Sequence, residues 1–341
     1  MKHTMRIKTL SPLPAVDELV QEVNISAHTA AWLQEKRHEI CNVISGTDPR
    51  LLVIIGPCSI HDPKAGLEYA ERLAGLATRY QDKLLLVMRT YFEKPRTRHG
   101  WKGMLVDPHL DGSYNIGEGL WAARRFLKQV LAMGVPTATE FLDTTLAPYL
   151  ADLICWGAIG ARTVESQPHR QLASALPCAI GFKNSTDGNV DIAIDAIHAA
   201  STPQILCSSG LKTGPQALIT EGNPFGHLIL RGGRQPNYHR EHVVRACEQL
   251  KGSDVLNRLV VDCSHGNSQK KAHNQPGVAY NIIDQLQDGE RGIAGIMLES
   301  FLVGGNQPEH NPTAVYGQSI TDECLSWADS EQLLAGIYRR L

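Results

Sequence analysis

The feature that most constrains the fold is a rhythm of eight short apolar, β-branched runs separated by stretches of helical spacing. The runs cover residues 51–55, 84–88, 135–139, 158–163, 178–182, 227–230, 258–261 and 293–298. Most are nearly unbroken rather than alternating, as expected of parallel strands covered on both faces. Helical patterns over 66–80, 119–133, 190–200, 239–250 and 277–287 lie between them. Strands alternating with helices form right-handed βαβ units on one parallel sheet, and eight of them predict an α/β fold, a closed (β/α)8 TIM barrel.

Two connections exceed what a simple barrel needs. Residues 91–117 are rich in Gly, Pro and charge. Residues 202–222 hold two apolar segments, 204–207 and 216–220, around Gly210 and Gly214, the pattern of an inserted β-hairpin. Ahead of the first strand, a helix is expected over 30–44, with Thr29 as N-cap and Gly46 as its stop. The expected organisation is an N-terminal extension over 1–50 and a single barrel over 51–341, with the hairpin inserted at about 202–222.

Composition narrows the class. The 33 Lys+Arg and 35 Asp+Glu leave a formal charge of −2, so no long-range attraction to nucleic acid is expected. A hydrophobic content of 43% excludes a disordered chain. Residues 1–16 lack the apolar core of a signal peptide, and nowhere do about 18 apolar residues run together as a membrane span needs. The eight cysteines are scattered, with no CxxC pair, which favours reduced thiols and a cytoplasmic location.

The chemistry sits at the C-terminal ends of the apolar runs. The first run ends in Gly-Pro-Cys-Ser-Ile-His-Asp (56–62), the second in Arg89 and the long segment with Lys94, Arg96, Thr97 and Arg98. The third ends at Glu140, the fourth at Arg162, the fifth at Lys183 and the sixth at Arg231-Gly232-Gly233. The seventh ends in Asp-Cys-Ser-His-Gly-Asn (262–267) and the eighth at Glu299. A single strand-end arginine is ordinarily a solvated loop residue, a lone cysteine a small buried hydrophobe, and a strand-end lysine one that snorkels from the rim. Eight ends behaving alike on the face where barrels keep their active sites weaken that reading.

Arg89, Arg162, Lys183 and Arg231 would converge on one mouth. Partly desolvated like charges are costly unless an anion neutralises them, so a small ligand with phosphate and carboxylate groups is expected. Backbone amides near Gly160 and Gly232 could add donors. Cys58, His265 and Glu299, with Asp322 as fourth, offer a mixed S, N, O set suited to Mn2+, Fe2+, Co2+ or Zn2+ rather than Ca2+ or Mg2+. His61 and Asp262 are rival ligands, and Asp262 could instead orient one.

The strings at 56–62, 88–97 (Met-Arg-Thr-Tyr-Phe-Glu-Lys-Pro-Arg-Thr), 160–163, 181–184, 230–233 and 261–267 closely resemble those of the type I 3-deoxy-D-arabino-heptulosonate 7-phosphate (DAHP) synthases, and the likeness runs from about residue 51 to 327. The resemblance implies a (β/α)8 barrel condensing phosphoenolpyruvate with D-erythrose 4-phosphate and releasing phosphate, the first step of the shikimate route to aromatic amino acids. Carried over by motif, the metal ligands are Cys58, His265, Glu299 and Asp322. Phosphoenolpyruvate contacts fall on Arg89, Lys94, Arg162, Lys183 and Arg231, with Glu140 near the attacking water. Erythrose 4-phosphate contacts fall on Arg96 and Thr97, beside Lys94 and Asp322. Lys94 or His265 would supply the proton. The resemblance further implies a homodimer or homotetramer, and feedback by an aromatic amino acid at a site built from the extension and the hairpin. Segments 144–148 and 207–216 differ from family patterns, so Phe, Tyr and Trp stay open as effector.

Three alternatives compete. Lys183 could be the Schiff-base lysine of a metal-free aldolase. The barrel could be a silent phosphosugar sensor. The partner sugar could be that of the 3-deoxy-octulosonate 8-phosphate synthases, against which the Lys94-Pro95-Arg96-Thr97 string argues.

Overall fold

The computed structural model describes residues 6, 9–96, 98–208 and 216–341. Eight strands close a parallel barrel: β1 (Leu51–Gly56), β2 (Leu84–Arg89), β3 (Thr137–Glu140), β4 (Trp156–Ile159), β5 (Ala179–Lys183), β8 (Gly226–Leu230), β9 (Leu259–Asp262) and β10 (Ile293–Glu299), in the order β1-β10-β9-β8-β5-β4-β3-β2. β1 and β10 close the ring, with Ile54 beside Met297 and Gly56 beside Glu299. Every residue of β1, β2, β5 and β10 is buried, which explains their unbroken apolar character. The inserted hairpin is β6 (Ile205–Ser208) paired antiparallel with β7 (Gln216–Ile219). A small parallel pair, β11 (Val303–Asn306) and β12 (Gln318–Ser319), follows the last barrel strand.

Helices α3 (Pro63–Tyr80), α4 (Ile116–Ala132), α5 (Gln167–Ala175), α6 (Asp191–Ser201), α7 (Arg240–Lys251), α8 (Gln275–Gln287) and α9 (Trp327–Arg340) surround the barrel. Their starts are written locally: Asp62 accepts from Lys64 N and Ala65 N ahead of Pro63 at the head of α3, and Asn115 accepts from Glu118 N. Between β3 and β4 two 3-10 turns, Ala147–Tyr149 and Ala151–Leu153, stand where a helix would be. The extension holds α1 (Val16–Glu22) and α2 (Ala27–Ser45). α2 packs on β1, β5 and β10, so it crosses the base of the barrel with Leu33, Ile40, Val43 and Ile44 buried. From it, buried Arg37 reaches the carbonyls of Ile154 (2.9 Å) and Ala151 (2.8 Å).

Two sequence expectations are corrected. The cap of α2 is Ser26 rather than Thr29: the Ser26 hydroxyl accepts from Thr29 N at 3.1 Å, so the helix starts about a turn before the apolar pattern does. The fourth strand lies at Trp156–Ile159 rather than 158–163, because Gly160 to Thr163 form a turn closed by Thr163 N and Val164 N on Gly160 O. Arg162 is therefore a loop residue beyond the strand end. No helix among the described residues is long and apolar enough to cross a membrane.

Candidate active site at the barrel mouth

Each barrel strand delivers its terminal side chain to the C-terminal end, and there a cavity of about 460 Å3 opens. Its lining includes Lys94, Arg96, Arg98, Arg162, Lys183, Arg231 and Lys270 against the carboxylates Glu140, Asp322 and Glu323. In a chain of net charge −2, this wall carries a strong local excess of cations.

The cations fall into two groups. The deep ones are matched to buried acids. Arg89, 1% exposed, is 3.1 Å from Glu299, lies over the Tyr91 ring at 4.0 Å, and sits below the cavity wall rather than on it. Lys183 pairs with Asp262 at 3.1 Å. Lys94 Nζ donates to the Cys58 carbonyl at 3.2 Å and to its Sγ at 3.1 Å. Burial works against the charge of Lys94, but Cys58, Glu299 and Asp322 outweigh it and raise its pKa. The outer cations Arg162, Arg231 and Lys270 have no carboxylate within 4.0 Å among the described residues. Burial lowers the pKa of Arg231; Asp262 opposes that and neighbouring Arg162 adds to it. Such facing cations call for an anionic ligand.

On the opposite flank, Cys58 Sγ, a Glu299 oxygen and an Asp322 oxygen all lie within 4.8 Å of one another. His265 Nε2 approaches Glu299 Oε1 at 3.9 Å, while its Nδ1 stands 2.8 Å from Asp262. His265 holds a left-handed backbone (φ 53°), a conformation that a non-glycine residue keeps only where the surroundings enforce it. Glu299 also accepts from Ser264 Oγ at 2.7 Å. Burial favours protonated Glu299, yet His265, Arg89 and Lys94 hold its pKa below the usual carboxylate value. Asp262 is held far down by His265 and Lys183 against its own burial. Burial, reinforced by Glu299, pushes the Cys58 thiol up to about 11. The sulfur and two oxygens converge, while His265 meets Glu299 and lies outside that mutual group; the set of donors fits a borderline divalent ion. Of the rivals, Asp262 touches His265 and Lys183, while His61 packs edge-on against Phe301 at 5.9 Å.

Glu140 lies on the cavity against Gly160, where a Cβ would fall 2.1 Å from its Oε1, so the glycine makes room for that carboxylate. Gly232 (φ 74°) passes so close to Gly266 that a Cβ would meet its carbonyl carbon at 2.5 Å; two glycines let these loops touch beside Arg231. Arg96 reaches the cavity and pairs with Glu309 at 2.5 Å. Thr97, the other expected aldose-phosphate contact, lies outside the described residues, as does the hairpin tip 209–215. Sequence reasoning missed His99, Thr186, Lys270 and Glu323 on the wall; they sit on loops whose path no periodicity reveals.

The fold and site define a barrel enzyme class that handles small polyanions beside a mixed-donor divalent-metal site. The profile of the DAHP synthetase I family matches residues 22–335, and the chain belongs to that family. It is 52% identical over 335 residues to the Trp-sensitive phospho-2-dehydro-3-deoxyheptonate aldolase of Enterobacter agglomerans, covering 98% of this chain and 95% of that protein. The enzyme of the same name from Escherichia coli K12 is 51% identical, covering 97% and 95%. A solved phospho-2-dehydro-3-deoxyheptonate aldolase from Francisella tularensis SCHU S4 superposes with a TM-score of 0.96 at 44% identity, covering 98% of both chains. The activity of this family is the carbon–carbon bond-forming synthesis of DAHP, a transferase reaction that begins the shikimate pathway.

Proposed function

We propose that the mouth performs DAHP synthesis with the division of labour its charges suggest. The observation that carries this reading is the split between deep cations matched to acids and outer cations without an acidic partner among the described residues. Arg162, Lys183 and Arg231 grip the phosphate of phosphoenolpyruvate, and Lys94, backed from below by the buried charge of Arg89, holds its carboxylate. Arg96 and Thr97 take the phosphate of erythrose 4-phosphate, beside Lys94 and Asp322. Cys58, His265, Glu299 and Asp322 would hold one divalent ion, Mn2+, Fe2+, Co2+ or Zn2+, which when bound supplies Lewis-acid polarisation of the aldehyde. C3 of phosphoenolpyruvate then attacks C1 of the aldose while Lys94 delivers a proton to the developing alkoxide; His265 is the rival donor. Glu140 orients water toward C2, and the C–O bond to phosphate breaks as phosphate leaves. Fixing two anions at this spacing supplies much of the acceleration.

The Schiff-base reading loses support because Lys183 is salt-bridged to Asp262 rather than isolated in an apolar pocket. Arg231→Ala tests the assignment: KM for phosphoenolpyruvate should rise on the order of 10- to 100-fold, the loss of one desolvated charge-assisted contact, with KM for erythrose 4-phosphate little changed. Equal changes in both would refute it.

The names of the relatives support tryptophan as effector. We place its site between the extension (1–50), segment 144–148 and the hairpin, with a homodimer or homotetramer as the working assembly of this cytoplasmic enzyme. Eight cysteines without a disulfide support the location. Inhibition assays with Trp, Phe and Tyr on the full chain and on one lacking residues 1–30 test it. Inhibition by Trp alone, lost on truncation, is expected.

A further inference from the structure

The segment 90–115 between β2 and α4 must present Arg96 to the cavity although its described residues belong to no strand or helix. Its stem is tied by its own backbone: Lys94 N donates to Lys102 O at 2.9 Å, and Leu105 N to Phe92 O at 3.3 Å. The turn between those ties is held from outside the segment. Glu309, beyond β11, takes Arg96 Nη2 on Oε1 at 2.5 Å and receives Trp101 N on both oxygens, at 3.2 and 3.1 Å. Arg96 Nε donates back to Trp101 O at 2.7 Å. Gly100 suits the closure: its backbone (φ 135°) is one that a side chain rarely adopts, and a Cβ there would crowd Arg96 Nε at 3.0 Å and Glu309 Oε1 at 3.2 Å.

We propose that Glu309 is a positioning residue that holds Arg96 against Trp101 and thereby aims Arg96 at the phosphate of the aldose substrate. The inference rests on the reading of Arg96 given above. Of the five guanidinium N–H donors, Nε and one on Nη2 are engaged; Nη1 and the rest of Nη2 have no partner among the described residues and suit a bidentate grip on phosphate. Glu309 therefore orients the fork rather than blocking it. It also fixes the loop before binding, so that the substrate does not bear the ordering entropy. Arg96 and Glu309 are each about one-quarter exposed, which keeps the effect moderate.

The test is steady-state kinetics of the metal-loaded full-length enzyme with each substrate varied in turn, for Glu309→Ala, Glu309→Gln and Arg96→Ala. Glu309→Ala should raise KM for erythrose 4-phosphate by about five- to tenfold without moving KM for phosphoenolpyruvate. Glu309→Gln, which still accepts from Trp101 N, should fall between it and wild type. Arg96→Ala should raise the same constant further, and adding Glu309→Ala to it should change nothing more. A lowered KM for erythrose 4-phosphate in Glu309→Ala would mean that Glu309 competes with the phosphate and would overturn the proposal. So would parallel rises in both KM values, or no change while Arg96→Ala keeps its effect. If Arg96→Ala itself leaves the aldose-phosphate KM alone, the underlying assignment of Arg96 fails.

Discussion

The two ends of the barrel carry similar residues to opposite purposes. The base holds a cavity of about 710 Å3, larger than the one at the mouth, lined by Asp48, Arg50, Asp82, Lys83, Arg258, Arg291 and Arg340 among others. Three of its four arginines are spent on the protein, and the fourth, Arg291, is exposed. Arg50 is paired with Asp48 at 2.6 Å and Glu39 at 2.9 Å. Arg258 donates to the carbonyls of Val43 (2.5 Å), Ile293 (2.7 Å) and Arg291 (3.1 Å), tying α2 to β10. At the mouth, Arg162, Arg231 and Lys270 face open space with no carboxylate in reach among the described residues. Cavity size does not separate the two ends, and neither does arginine content. The difference lies in how far the half-buried cations are committed: Arg258 at the base is tied to three carbonyls, while Arg231 at the mouth meets the Gly232 carbonyl alone, with no acid in reach among the described residues.

The largest expected break of this contrast comes from the metal-ligand flank. Cys58→Ala should lower turnover by at least on the order of 10³-fold, since several kcal/mol of charge stabilisation depend on that donor set; metal content per subunit should fall with it. Next comes one cation from each end. Lys183→Met takes from buried Asp262 one of its two cationic neighbours and leaves it His265, so denaturant unfolding should lose on the order of 3 kcal/mol and phosphoenolpyruvate affinity should collapse too. Arg258→Ala strips hydrogen bonds from carbonyls at the base. It should cost about 2 kcal/mol of stability with both KM values unmoved. A kinetic effect from Arg258→Ala as large as that from Lys183→Met would erase the distinction between the ends.

The smallest effect concerns Glu93, 7% exposed, whose carboxyl accepts from Leu142 N and Asp143 N and so joins the β2 and β3 loops. Burial raises its pKa to about 8 from 4.5, against the two backbone donors that lower it. The folded protein then holds this proton over a range where the unfolded chain has lost it. Stability from this group is full below about 4.5 and declines as pH rises toward 8. In Glu93→Gln, unfolding free energy should be flatter across that window; an unchanged slope would contradict the burial argument.

Much of the mouth was legible in the sequence because barrel chemistry is local. A strand end and the next few residues form a contiguous string, so apolar runs located Cys58, Arg89, Glu140, Lys183, Arg231 and Glu299 at one mouth. Arg162 was placed on a strand end because Ala158 to Thr163 is apolar enough to extend β4; the turn at Gly160 ends it earlier. Thr29 looked like the cap because the apolar pattern begins after it, whereas Ser26, three residues upstream, does the capping. Pro148 marks the 3-10 turns that replace a helix after β3. The clamp on Arg96 was invisible, because Glu309 lies 213 residues away and no pattern links the two loops. Nor could charge spacing tell a spent arginine from a free one, which depends on carbonyls brought close only by folding.

The central claim is tested most directly by release of inorganic phosphate from phosphoenolpyruvate by the metal-loaded enzyme, with erythrose 4-phosphate present or withheld and chelator added or omitted. Release should require both phosphate-bearing substrates, stop on chelation and resume when a divalent ion is restored. Release without the aldose phosphate, or turnover indifferent to chelation, would contradict the claim.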